Sequence, residues 1–210
     1  YNRKNTDLEV NVISNLMVDH NQLKQKISKI KQVVAARKIK RFEITASIDC
    51  WGPEQEYIRS GLNMDHWRKN FEYVVNEKWI TLNINQVISA LSIPTITPLL
   101  EYVNTQRKVR DIGHHLILCG EPTYMNPTIF GPELYDKWFD KILGIMPEDT
   151  WQQKEIKQYM NGVRLEIQAA KSDPKEIKKL RLYLDEIDRR RNTNWRQTFP
   201  WIVKEIDNVV

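Results

Sequence analysis

Ser47 and Asp49 stand two residues apart at the end of a run that alternates apolar and polar side chains, Phe42-Glu43-Ile44-Thr45-Ala46-Ser47-Ile48-Asp49. Alternation of period two is that of a β-strand with unlike faces, so a hydroxyl and a carboxylate share the polar face at its carboxyl end. In parallel sheets that end is where ligands are held. Trp51-Gly52-Pro53 closes the strand and opens a polar loop, and Arg59 is near enough in sequence to fold back over it. Other strand ends contribute Ser14 and Asn15, Asn85 and Gln86, and Glu121. Hydroxyls, amides and carboxylates of this kind suit a ribose, an amino-acid head group or an amide through directional hydrogen bonds. The plainer reading of the same residues is turn formation, and of Arg59 a surface pair with Glu54 or Glu56 worth little.

Such side chains need a frame, and the periodicity supplies one. Leu8-Glu9-Val10-Asn11-Val12-Ile13-Ser14-Asn15 alternates as a first strand. Leu23, Ile27, Ile30, Val33 and Val34 then recur at helical spacing over residues 21–37. The strand at 42–49 follows, and the crossover is long enough for parallel pairing. Asp65 is the predicted cap of a second helix that buries Trp67, Phe71, Val74 and Val75. Residues 80–88 alternate again, with Ile80, Leu82 and Ile84 toward covering helices and Thr81, Asn83 and Asn85 on the other side. Parallel strands buried on both faces are nearly all apolar, so this amide row marks a ligand-lined interior or a sheet face open to solvent. Thr97 and Pro98 are predicted to start a third helix carrying Leu99, Leu100 and Val103. A fourth strand over 114–119 runs into a Pro-rich exit loop.

From Pro132 onward the periodicity is helical. Leu134, Trp138, Ile142 and Leu143 form one stripe; Trp151, Tyr159, Met160, Val163 and Ile167 form a second. Asp173-Pro174-Lys175-Glu176 combines a cap, a first-turn proline and a box-forming Glu ahead of Ile177, Leu180, Leu184 and Ile187. A short helix is expected after Pro200. The division this suggests is an α/β segment over 1–130 and a helical extension over 131–210.

Composition sets limits on partners. Hydrophobic residues at 41% and charged residues at 28% describe an ordinary globular chain, with no apolar run near the roughly 20 residues that span a bilayer. A cytoplasmic protein with no membrane partner is the expectation. The two cysteines, Cys50 and Cys119, lack metal-ligand spacing and read as reduced thiols. Adjacent strand residues such as His114 and His115 point to opposite faces and do not share one ion. The net charge of +5 allows a nucleic-acid-binding module built on Lys24, Lys26, Lys29, Lys31 and Arg189–Arg191. Against it, acidic residues are interleaved through the last helices, which makes nucleic acid the lesser alternative, beside that of a non-catalytic scaffold.

Two motifs carry a family resemblance. Ser47-Ile48-Asp49-x-x-Gly52 followed by Glu56-Tyr57-Ile58-Arg59-x-Gly61 resembles the fourth-strand region of radical S-adenosylmethionine (SAM) enzymes with a twitch or SPASM-type C-terminal extension. Leu184-Asp185-Glu186-Ile187-Asp188-Arg189-Arg190-Arg191 followed by Trp195-Arg196-x-Thr198-Phe199-Pro200 is similar to the closing segment of twitch-containing members. The likeness covers most of the chain. The family's cluster-binding Cys-x-x-x-Cys-x-x-Cys is absent from it, and where the family's third strand ends in Thr-Asn-Gly this chain has Ser14-Asn15-Leu16.

The resemblance implies a fold and a ligand. The fold would be the C-terminal half of a parallel partial (β/α) barrel followed by a helical extension. Its partner would be the missing N-terminal half of the barrel, and the first residue, Tyr1, fits a piece of a longer protein. The parent would use SAM and a [4Fe–4S] cluster to abstract hydrogen from an unknown substrate, a peptide or a small molecule. Ser47 and Arg59 would meet the methionyl carboxylate, and Asn15 or Asn85 the ribose or amino groups, with Asp49 on the same strand end. With the cluster ligands absent, this chain alone is expected to bind no cluster and to be inactive.

Overall fold

The computed structural model describes residues 7–209. Four strands, β1 (Glu9–Ser14), β2 (Arg41–Ser47), β3 (Thr81–Ile88) and β4 (Gly113–Leu118), form one parallel sheet in the order β1-β2-β3-β4. The crossovers carry helices α1 (His20–Ala35), α2 (Pro53–Ile58), α3 (Met64–Asn76) and α4 (Ile96–Arg107). Strands that succeed one another as neighbours, joined by right-handed crossovers, place their connecting helices on one face. Phe42, Ile44 and Ala46 of β2 and Leu82 and Ile84 of β3 point to that face and are buried against Leu23, Ile27, Trp67, Phe71, Leu99 and Val103. The alternating partners Thr45, Ser47, Asn83 and Asn85 lie on the other face, where Asn83 and Asn85 are half-buried and Thr45 and Ser47 are buried. The architecture is α/β with one covered and one open side.

Three local details depart from the sequence expectation. The second-crossover helix is capped by Asn63, whose side chain accepts the His66 N–H, and Asp65 sits inside the first turn. Both residues are good acceptors; Glu56 decides between them by taking the Met64 N–H at 2.8 Å, which fixes where the helix begins. The third helix starts at Ile96 after Thr95, so Thr97 is its second residue rather than its cap. The loop after β2 contains the six-residue α2, opened by Pro53 in its first turn. One run of 3-10 structure precedes α4 and two follow β4.

Leu16, an ordinary residue just past the end of β1, adopts φ +55°. The left-handed region costs an ordinary residue about 1–2 kcal/mol. The surroundings hold it there: the Leu16 N–H reaches Ser14 Oγ at 3.0 Å, its carbonyl accepts from Asn70 Nδ2 at 2.7 Å, and its side chain is buried.

After β4 come α5 (Asp136–Ile145), α6 (Trp151–Ala169), α7 (Pro174–Arg191), α8 (Trp195–Thr198) and α9 (Val203–Asp207). Thr150 and Gln153 form a reciprocal capping box at the start of α6, and Asp173 caps α7. These helices share cores with the α/β segment. Ile88, Ile93, Ile96 and Leu100 pack with Tyr135, Phe139, Ile142, Met160 and Val163. Tyr57, Ala90 and Leu91 pack with Ile177, Leu184, Trp195 and Phe199. No helix among the described residues is long and apolar enough to cross a membrane.

Candidate functional site

The open face of the sheet is the floor of a groove of about 900 Å³. The register lays Ser47 of β2 beside Asn85 of β3 and His115 of β4, one row across three strands. A second row holds Ile13, Thr45, Asn83 and Gly113. Thr45 donates its hydroxyl to Asn11 Oδ1 at 3.2 Å. The side chains of Ser47, Asn83, Asn85 and His115 have no hydrogen-bond partner among the described residues. Polar groups on a half-enclosed floor stay unpaired at a cost unless water or a ligand meets them.

Gly113 makes the second row possible. A Cβ there would lie 2.0 Å from Asn83 Oδ1, so only glycine lets the Asn83 amide lie across β4. One wall of the groove is the first half of α6, where Trp151 is 71% exposed and Ile156 and Tyr159 face the floor. Arg107 and Asp111 mark the end near the start of β4. Arg107 bonds to Ile112 O and Asn104 Oδ1, and burial lowers its pKa.

At the carboxyl ends of β2 and β3 the polar groups are paired instead. Arg59 lays its fork on Asp49, Nε to Oδ2 at 2.7 Å and Nη2 to Oδ1 at 2.9 Å, and this pairing raises the arginine pKa. Asp49 Oδ1 also accepts the Val87 N–H at 3.0 Å. Gln55, wholly buried on α2, accepts the N–H groups of Asp49 and Cys50 at 2.9 and 2.8 Å. Removing Arg59 would strand a carboxylate that is 5% exposed, at the lower end of the about 3–5 kcal/mol for breaking a buried pair. The Asp49–Arg59 pair is thus a clasp between the α2 loop and β3.

Behind the sheet the clasp continues. Gln86 Nε2 donates to Asp49 O at 2.7 Å, which turns Gln86 Oε1 toward His114 Nε2 at 2.8 Å. The His114 proton therefore sits on Nε2, and burial drives the ring's pKa down to about 3. His115 lies on the opposite, open face. Burial also pushes the Cys50 thiol far above its ordinary value. Among the described residues no group of three or more His, Cys, Asp or Glu side chains could hold a metal ion.

The residues singled out by sequence divide three ways. Ser47 and Asn85 come together in one row of the sheet, where Asn85 lines the groove and Ser47 is buried beside it. Asp49 and Arg59 come together with each other. Asn15 is exposed and spends its side-chain oxygen on the Met17 N–H at 3.1 Å, as a turn former does. Sequence reasoning assigned no site role to His115, Trp151 and Gly113; the amide alternation that located Asn83 was the one signal pointing to that part of the floor.

The arginine run at 189–191 is not a free cationic patch. Arg189 and Arg190 both bond to Glu186, at 2.7 and 2.6 Å, and hold its carboxyl down to about 2. Arg191 donates to Tyr57 O at 3.1 Å, and on α1 Lys31 pairs with Glu77.

No family model, curated protein or solved structure matches the chain.

Proposed function

We propose that this chain contributes half of a ligand site to a radical SAM-like partial barrel, with the open sheet face as the inner wall. The observation that carries this reading is the Ser47–Asn85–His115 row: three unpartnered polar side chains in register across parallel strands, of which Asn85 and His115 line the groove and Ser47, 7% exposed, lies beside it. A hydroxyl, an amide and an imidazole side by side suit the ribose hydroxyls and amino group of SAM through directional hydrogen bonds. The Asp49–Arg59 clasp alters one assignment. With its fork engaged, Arg59 acts by positioning the strand end, and the ligand carboxylate must find its counter-charge elsewhere.

The two cofactors fit this chain unequally. A [4Fe–4S] cluster is held by cysteine thiolates. Cys50 is enclosed with a raised pKa, and Cys119 is the one other cysteine, so the chain's own residues do not fit the cluster. The residues of the open face do fit the uncharged part of SAM. Radical generation would belong to the cluster and its own polypeptide; these residues bind, orient and shield the ligand.

Titration of the ¹⁵N-labelled chain with SAM tests this. Shift changes should concentrate at Ser47, Asn85 and His115, and Asn85→Ala should weaken binding by about 0.5–1.5 kcal/mol, the net worth of a hydrogen bond. Changes scattered over the surface, or affinity indifferent to Asn85→Ala, would remove the reading.

A further inference from the structure

The sheet treats its two edges differently. On β4 the Cys119 N–H bonds to Ile88 O at 2.9 Å, so odd-numbered residues of β4 pair with β3 and even-numbered ones face outward. That outward side is covered: α6 packs along β4, and the Leu118 N–H is received by the Tyr159 hydroxyl at 3.0 Å. On the other side of the sheet, Ile48 donates to Asn85 O at 3.0 Å, so even-numbered residues of β2 turn to β3 and odd-numbered ones to β1. Thr45 stands opposite Ile13, which makes Val10, Val12 and Ser14 the β1 residues bonded to β2. The N–H and C=O groups of Glu9, Asn11 and Ile13 therefore point out of the sheet, and no described residue bonds to them.

Exposed strand edges are ordinarily blunted by lysine, proline, a bulge or a covering element. The sequence of β1, Glu-Val-Asn-Val-Ile-Ser, has neither lysine nor proline, and its register with β2 is unbroken. Its apolar side chains are uncovered as well, with Val12 at 41% and Ile13 at 69% exposure. Val10 belongs to the layer packed under α1, so the core reaches this edge and stops there.

We propose that β1 accepts a further strand, supplied by another polypeptide segment and running parallel to it. A row of alternating outward N–H and C=O groups is matched by an extended backbone and by little else. The strand must carry β-branched residues on the side flush with Val10 and Val12, and polar or small residues on the side flush with Asn11. Because Val12 lacks full cover from α1, the segment brings its own helix over that face, and a strand–helix unit in this sheet pairs in parallel. The proposal rests on reading this sheet as part of a larger one, and it names the residues at the join.

Amide hydrogen exchange followed by NMR reads the edge residue by residue. In the chain alone, the amides of Glu9, Asn11 and Ile13 should exchange at least about tenfold faster than those of Val10, Val12 and Ser14. A synthetic peptide of alternating valine and threonine, with lysine at each end, should slow the first set and give Overhauser contacts of parallel register. Asn11→Pro removes one outward N–H and no backbone bond to β2, only the side-chain bond from the Thr45 hydroxyl, so it should abolish the slowing while Val12 and Ser14 stay protected. Equal protection of both sets in the chain alone, or no response to the peptide, overturns the proposal. Slowing of the same three amides with chain concentration, in antiparallel register, overturns it too and gives the edge to a second copy. The exchange readout is independent of SAM, so a failed SAM titration and a failed edge experiment are told apart.

Discussion

His114 shows how one buried side chain writes a pH dependence into the fold. The ring is enclosed, donates to Gln86, and has its pKa lowered from 6.5 to about 3 by burial, with Arg107 and His115 adding to the effect. An unfolded chain takes up a proton on this residue below the ordinary histidine pKa, whereas the folded chain does not. The unfolded state then binds more protons, and stability falls as the pH drops through this window; the contribution is fully present above about 6.5. At pH 5 the loss from this one group is about 2 kcal/mol. Urea unfolding at pH 7.5 and 5.0 should show it, and His114→Leu, less stable at both, should lose about that much of the difference. An unchanged pH dependence in the variant would mean that the ring is not held neutral. The same residue scale explains what sequence left hidden around Asp49. Its spacing to Ser47 and the return of Arg59 over the strand end were legible, but the pairing of Arg59 with Asp49 itself was not, because it depends on how α2 aims the loop. A six-residue helix is too short to leave a periodic signature.

At the scale of elements, the strands were the readable part. Apolar and polar side chains alternate along β2 and the first part of β3, and in β3 burial alternates with them. That period survives any local change of loop; β1 with Val12-Ile13 and β4 with Leu116-Ile117-Leu118 lack it. The four strands lie parallel in chain order, each within two residues of its predicted bounds. Helix starts were less legible, since Asn63 and Asp65, or Thr95 and Thr97, offer the same chemistry two residues apart. Gly113 was opaque for another reason: what requires it is not its own backbone but a side chain on β3. Gly113→Ala should leave stability within about 1 kcal/mol, since the short Asn83 side chain can rotate away at the cost of a poorer rotamer. It should nevertheless move the side-chain NH₂ resonances of Asn83, and a crystal structure should show the amide off β4. If the Asn83 signals and rotamer are unchanged, the glycine is not what keeps that amide in place.

Across the whole molecule, the question is whether the segments 1–130 and 131–210 are separable. Their cores argue that they are not. Ile88, Ile93, Ile96 and Leu100 are each fully buried, and their cover comes from α5 and α6. Full burial of such side chains is worth about 1.5–3 kcal/mol apiece, so exposing the four costs about 6–12 kcal/mol. That equals the whole stability of a typical domain, about 5–15 kcal/mol. The second shared core adds Tyr57, Ala90 and Leu91 to the loss. A chain ending at residue 130 should therefore lack a cooperative urea transition and give a near-ultraviolet circular dichroism spectrum without sharp aromatic bands, while retaining some helix in the far ultraviolet. Residues 131–210 alone should behave likewise, because Tyr135 and Phe139 would lose the strand-side half of their surroundings. A sharp two-state transition in the 1–130 chain would show that the sheet and its three crossovers stand by themselves, and that the helical extension is an addition rather than half of the core.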